Sequence, residues 1–235
     1  MAGPFLKHGE LIRRHGVVEL IEHWAIAVSG LLLILSGIFQ LPIAKRYYIT
    51  ELPGFAWSGD YVTTLKLHYI MSVVFIAVSF FHVIYHGMLR EKGMLPRSGD
   101  VKASIEVIKS FFGQGEEPPF GKYLPEQRVA YLGMAFIIGV LIISGLIKTY
   151  KNLIDPQISL SVVLWATWLH NIFFFLFLFA VIAHIAALII KPNRPMVRGI
   201  FMGCVKLDYA KRRHPLWVDE VIKAVPASTG ERESG

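Results

Sequence analysis

The stretch WLHNIFFFLFLFAVIAHIAALII, residues 168–190, decides the fold. It exceeds the roughly 20 apolar residues a membrane-spanning helix needs, yet it carries two histidines, His170 and His184. An ionisable side chain within a span is costly and marks a functional position. The two lie 14 residues apart. At about 100° per residue that is some 40° short of four full turns, so both rings share one helix face. At a rise of 1.5 Å per residue they are parted by roughly 21 Å along the axis. The pattern describes two sites at two depths.

The rest of the chain agrees with a membrane protein. Of its 235 residues 54% are hydrophobic and 17% charged, against about 25% charged in soluble domains. Apolar runs at residues 17–41, 65–87, 129–149 and 161–190 predict four spans, the last long enough to tilt. The expected fold is all-α, a transmembrane four-helix bundle with both termini cytoplasmic. It divides into an N-terminal arm (1–16), a four-helix transmembrane domain (17–190) and a basic tail (191–235). The orientation follows from charge. With Lys66 and Lys148 counted in the connections they adjoin, 19 of the 24 Lys and Arg fall in the termini and the middle connection. The positive-inside rule makes that side cytoplasmic. A membrane explains the net charge of +7, so nucleic-acid binding is not expected. No cleavable signal peptide is read at the N-terminus.

Between spans one and two, Tyr47, Tyr48, Trp57 and Tyr61 suit an interfacial aromatic belt. Between spans two and three, DVKASIEVIKSFFG (residues 100–113) has helical apolar spacing and predicts an amphipathic helix at the interface or a docking surface. The final PASTGERESG reads as disordered. The single cysteine, Cys204, excludes an internal disulfide, an iron–sulfur site and a C-x-x-C-H haem attachment. A redox cofactor in this chain must be held by histidine.

The predicted topology sorts the histidines by depth. His68 and His170 fall in an outer layer. The inner layer holds His184 with either His23 or His82, while His86 closes span two. Two opposed imidazoles at one depth, with Gly30, Ser36 and Gly37 leaving room for a flat macrocycle, suit a bis-histidine haem b. Zinc sites want three or four ligands close together, which rings some 20 Å apart on a helix do not supply. The phenylalanines Phe173, Phe174, Phe175, Phe177 and Phe179 read as lipid and packing surface. A non-haem module that conducts protons or transports through a histidine relay is the alternative from another class.

The segments EHW, LSGI, LH, GKYLPEQR and YAKRRHPLWVDEV, in this order and with the 14-spaced histidines, resemble the gamma (cytochrome b) subunit of membrane-bound formate dehydrogenases over nearly the whole chain. The resemblance implies a four-helix diheme cytochrome b in a bacterial or archaeal cytoplasmic (inner) membrane. Its partners would be an iron–sulfur subunit, a molybdenum or tungsten catalytic subunit and a membrane quinone, menaquinone or ubiquinone. One haem b would be held by His68 and His170 and a second by His23 and His184, with His82 the alternative inner ligand. The family's quinone pocket maps to Gly121, Tyr123, Leu124 and Glu126, with His86 nearby. Leu124 and Glu126 depart from the family's polar and small residues there, so Glu126 is expected to donate or relay a proton if burial raises its pKa. The same module serves nickel–iron hydrogenases and thiosulfate reductases, the runner-up partners.

Overall fold

The computed structural model describes residues 4–6, 10–111, 113 and 119–224. The final PASTGERESG and the side chains of Phe111 and Phe112 lie outside the described residues. Among the described residues four helices are long and apolar enough to cross a membrane: α1 (Val17–Gln40), α3 (Tyr61–Met88), α5 (Pro125–Leu153) and α6 (Leu160–Ala187). In hydrocarbon each backbone polar group must be satisfied within its own segment, and an uninterrupted helix does this. The boundaries are chemical. Leu41 precedes Pro42, which starts the short helix α2 (Pro42–Arg46). The Asp60 carboxylate caps α3 by accepting from the backbone N–H groups of Val62 and Thr63, at 3.2 and 3.0 Å. Pro125 opens α5, and the Gln127 side chain reaches back to the Leu124 N–H at 3.1 Å. The sequence placed this helix four residues later, at 129; the proline and its cap move Glu126 from a loop into the first helical turn.

The chain forms two compact units. One comprises residues 17–91 and 137–183 and contains α1, α2, α3, most of α5 and most of α6. Its helices meet over small residues. A Cβ added at Gly30 would stand 3.3 Å from both Phe177 and Phe75, and one at Gly37 3.4 Å from Phe174. Phe177 is buried and meets Phe75 edge-on, whereas Phe175 and Phe179 are exposed, which suits a lipid face. Tyr47, Tyr48, Trp57 and Tyr61 are exposed as well.

The other unit comprises residues 1–16, 92–136 and 184–235. It holds a structure the sequence did not disclose, a small antiparallel sheet ordered β1 (Phe5–Leu6), β2 (Leu11–Arg13), β3 (Cys204–Lys206). Phe5 pairs with Ile12, and Ile12 with Val205. The protein is therefore nearly all-α. Among the described residues three short α-helices follow α6: α7 (Met196–Met202), α8 (Leu207–Arg213) and α9 (Pro215–Ala224). Ile12, Val205, Tyr209, Ala210, Trp217 and Val218 form the core that binds tail to arm.

The amphipathic segment is helix α4 (Asp100–Phe111). Its inward face is Asp100, Ser104 and Val107, with Val107 packed on Phe120 and Leu124. Val101, Ile105 and Ile108 stand exposed in a stripe, the pattern of a helix that lies against an apolar surface.

Candidate functional site

His68 on α3 and His170 on α6 face each other with ring centroids 6.3 Å apart and planes at 67°. Both rings are half-buried. What orients them is a serine apiece. Ser36 on α1 donates its hydroxyl proton to the Leu32 carbonyl at 2.7 Å, so its oxygen must accept at the 2.9 Å contact with His68 Nδ1. Ser144 on α5 repeats the device, donating to the Val140 carbonyl at 2.6 Å and accepting from His170 Nδ1 at 3.0 Å. Both serines are fully buried. Each imidazole thus carries its proton on Nδ1 and keeps the Nε2 lone pair for a metal. Bonding of the second ring nitrogen is what fixes the tautomer and ring angle of histidine ligands.

The spacing suits a shared metal. An imidazole nitrogen binds such ions at about 2 Å, so two rings in line across one ion have centroids roughly 6 Å apart. Glycines clear the ring edges. A Cβ at Gly145 would sit 3.3 Å from His170 Cε1, and one at Gly37 3.8 Å from His68 Cε1. An apolar cleft of about 390 Å³ opens beside Ser144, lined by Val140, Ile147, Trp165 and Leu169 among others. Haem, a flat apolar macrocycle with one axial position on each face, fits this donor set. Ser144 is the residue that sequence reading missed; α5 has no histidine and seemed to contribute nothing.

His23 and His184 belong to different units and are described separately. His23 is half-buried on α1 with its ring edge-on to Trp24, at 5.4 Å and 83°. His184 is exposed on the last turn of α6. His82 and His86 are drawn elsewhere, onto the buried carboxylate of Glu22. Glu22 has no role in the reading of the sequence.

The segment Gly121–Glu126 is held from beneath. Three successive carbonyls each accept from a side chain: Gly121 from His214 Nδ1 at 2.7 Å, Lys122 from Arg14 at 2.5 Å, and Tyr123 from Arg128 at 2.8 Å. Arg128 also clasps Asp100 through two nitrogens, and this cation holds the Asp100 carboxyl below the usual range. Leu124 is 1% exposed and packs on Val107 and Phe120, so its side chain anchors the segment. Gly121, Tyr123 and Glu126 remain half-buried.

Burial, with the Arg14 cation beside it, pushes the His214 ring down to about 4 from 6.5. Between those values the unfolded chain binds more protons than the folded one, so stability rises with pH there. The contribution is complete above pH 6.5 and is lost as pH falls toward 4, in all of order 3 kcal/mol at 1.36 kcal/mol per unit. His214→Ala is expected to flatten this acid branch in pH-dependent thermal unfolding. At neutral pH it should cost about 1–3 kcal/mol, through the Gly121 carbonyl left without its donor. An unchanged acid branch would assign the pH dependence to other groups.

Among relatives, the chain is 24% identical to the formate dehydrogenase cytochrome b556 subunit of Haemophilus influenzae, over 95% of this chain and 90% of that protein. It is likewise 24% identical to the cytochrome b556(fdo) subunit of Escherichia coli K12, over 93% of this chain and 97% of that one. The nitrate-inducible cytochrome b556(Fdn) subunit from the same strain gives 24% over 93% and 95%. The family model described as prokaryotic cytochrome b561 matches residues 14–202, which contain every histidine considered above except His214. With four helices fit to cross a membrane and histidines set inside them, this chain belongs to the prokaryotic cytochrome b561 family.

Proposed function

We propose that this chain is a diheme b-type cytochrome that passes electrons between a peripheral oxidoreductase of formate dehydrogenase type, reached through an iron–sulfur subunit, and the membrane quinone pool. The observation that carries the reading is the His68–His170 pair, each ring bonded at Nδ1 to a buried serine and the two ring centroids 6.3 Å apart. Haem, when bound, supplies one-electron exchange; the chain's own residues hold, orient and tune it. His68 and His170 would be the axial ligands of one haem b. Lys148, one turn beyond Ser144 on the same face of α5, offers a cation for a propionate. The family resemblance supports His23 and His184 as ligands of the second haem. It also supports Gly121, Tyr123 and Glu126 as the quinone-facing surface, and the clamped carbonyls of Gly121, Lys122 and Tyr123 favour a fixed pocket wall.

The lysine and arginine distribution supports a cytoplasmic membrane location with both termini inside. The relatives' names favour a formate dehydrogenase, whose catalytic subunit the family resemblance makes a molybdenum or tungsten one, as partner over a nickel–iron hydrogenase or thiosulfate reductase. Formate-dependent reduction of the haems in the co-purified complex tests that choice. Haem quantification by pyridine haemochrome tests the cytochrome itself: two non-covalent haem b per chain are expected, and one or none overturns the ligand set.

The serines give a finer prediction. An imidazole whose Nδ1–H is hydrogen-bonded is the more basic ligand and favours the oxidised iron. Ser144→Ala should therefore retain the haem while raising its midpoint potential in a redox titration. An unmoved midpoint would remove Ser144 from any tuning role.

A further inference from the structure

Glu22, His82 and His86 take no part in either proposed haem, yet they meet at one point. His82 Nδ1 and His86 Nε2 lie 3.1 and 2.9 Å from the same oxygen, Glu22 Oε2. One donor atom from each of the three residues lies within 4.8 Å of the others. The Glu22 side chain is 5% exposed, and its second oxygen, Oε1, has no hydrogen-bond partner among the described residues. A buried carboxylate oxygen with no donor is costly unless a cation answers it. A second carboxylate stands behind the cluster, with Glu91 Oε2 at 2.6 Å from His86 Nδ1. It is brought there by a left-handed residue, Arg90 at φ 54°, that folds the chain back so that the Glu91 N–H bonds the His86 carbonyl at 3.1 Å.

We infer that Glu22, His82 and His86 form a binding site for a divalent transition-metal cation, with zinc the closest match. His82 and His86 are four residues apart, so one turn of α3 presents both rings on one face. Two imidazoles and a carboxylate are a zinc ligand set that leaves one position open. Calcium and magnesium take oxygen ligands almost alone and suit these rings poorly. Glu91 is the outer carboxylate that orients a ligating histidine by accepting the proton on its other nitrogen. Charge balances too. His86 lies between two carboxylates, and a proton on Nδ1 with a cation on Nε2 satisfies both. Two neutral rings and two carboxylates leave two negative charges, which a divalent ion cancels. His82 is 28% exposed, which provides an entry path. The bound ion would tie the opening turns of α1 to the last turn of α3.

The test uses the full-length, haem-loaded protein in detergent, stripped with a chelator and dialysed against zinc. Metal is counted by mass spectrometry and haem by absorbance on the same samples. One zinc per chain is expected, with a rise in unfolding temperature on zinc addition. His86→Ala should lose that zinc at unchanged haem content. Glu91→Gln should weaken zinc about 10–100-fold, the usual effect of removing an orienting carboxylate. If His86→Ala fails to fold, Glu91→Gln decides alone, because it alters only an exposed side chain. The inference is overturned if no stoichiometric zinc binds, or if zinc binds the His82→Ala/His86→Ala double variant as tightly as the native protein. A haem content of two in either case leaves the cytochrome reading intact.

Discussion

His170→Ala is expected to halve the haem content of the purified protein, from two haem b per chain to one. Removing the ring would take away one of the two residues proposed to hold this haem and leave His68, still bonded at Nδ1 to Ser36, as its single remaining ligand. Hydrogen bonding cannot compensate, because the Ser144 oxygen that accepted from His170 also loses its donor. Other side chains still hold the helices together where the ring is lost. Phe177, seven residues further along α6, still fills the space over Gly30 and Phe75, and Phe174 still covers Gly37. The second haem should therefore remain, its absorption bands unshifted and still reducible. His68→Ala should give the same spectrum by removing the opposite ligand. Loss of both haems in either variant would indicate collapse of the bundle instead, and retention of both would place the haem elsewhere.

The spans were legible because lipid imposes a local rule. About 20 apolar residues must run without interruption, and a window of sequence contains that information. The face shared by His170 and His184 was legible for the same reason, since helical periodicity is fixed by the chain itself. Helix ends were less so: α5 begins at Pro125 because a proline and a glutamine cap act over three residues of detail that hydropathy averages away. The sheet was not legible. Strands of two or three residues show no alternation, and the partner of Leu11 is Lys206, at the other end of the chain.

At the site, histidines announce themselves in an apolar helix, but their orienting groups do not. Ser36 was read as a small packing residue and Ser144 passed unnoticed, because a serine that satisfies itself on the preceding turn is ordinary in a membrane helix. Only the rotation of α5 toward α6 brings its oxygen to His170. Glu22 was hidden by position. A glutamate near the start of a span looks like its polar boundary, yet here it is buried and gathers two histidines from 60 and 64 residues away.

That gathering bears on the second haem, where spacing left His23 and His82 open. His82 and His86 have ring centroids 4.5 Å apart and are both bonded to Glu22. Turning His82 toward an iron would break its Nδ1 contact with the buried carboxylate. His23, one residue after Glu22, lies within the EHW motif in the second turn of α1. His23→Ala is therefore expected to remove the low-spin spectrum of the second haem and bring the count to one. Reoxidation of the remaining haem by added quinone should stop, because the family resemblance implies a quinone beside this inner haem. His82→Ala should keep two haems and quinone reoxidation while losing the zinc assigned to it above. The two variants thus give opposite patterns in one pair of measurements, haem count and bound zinc. If His82→Ala instead loses a haem and His23→Ala keeps both, α3 supplies a ligand to each haem, and Glu22 becomes the carboxylate that orients the second of them.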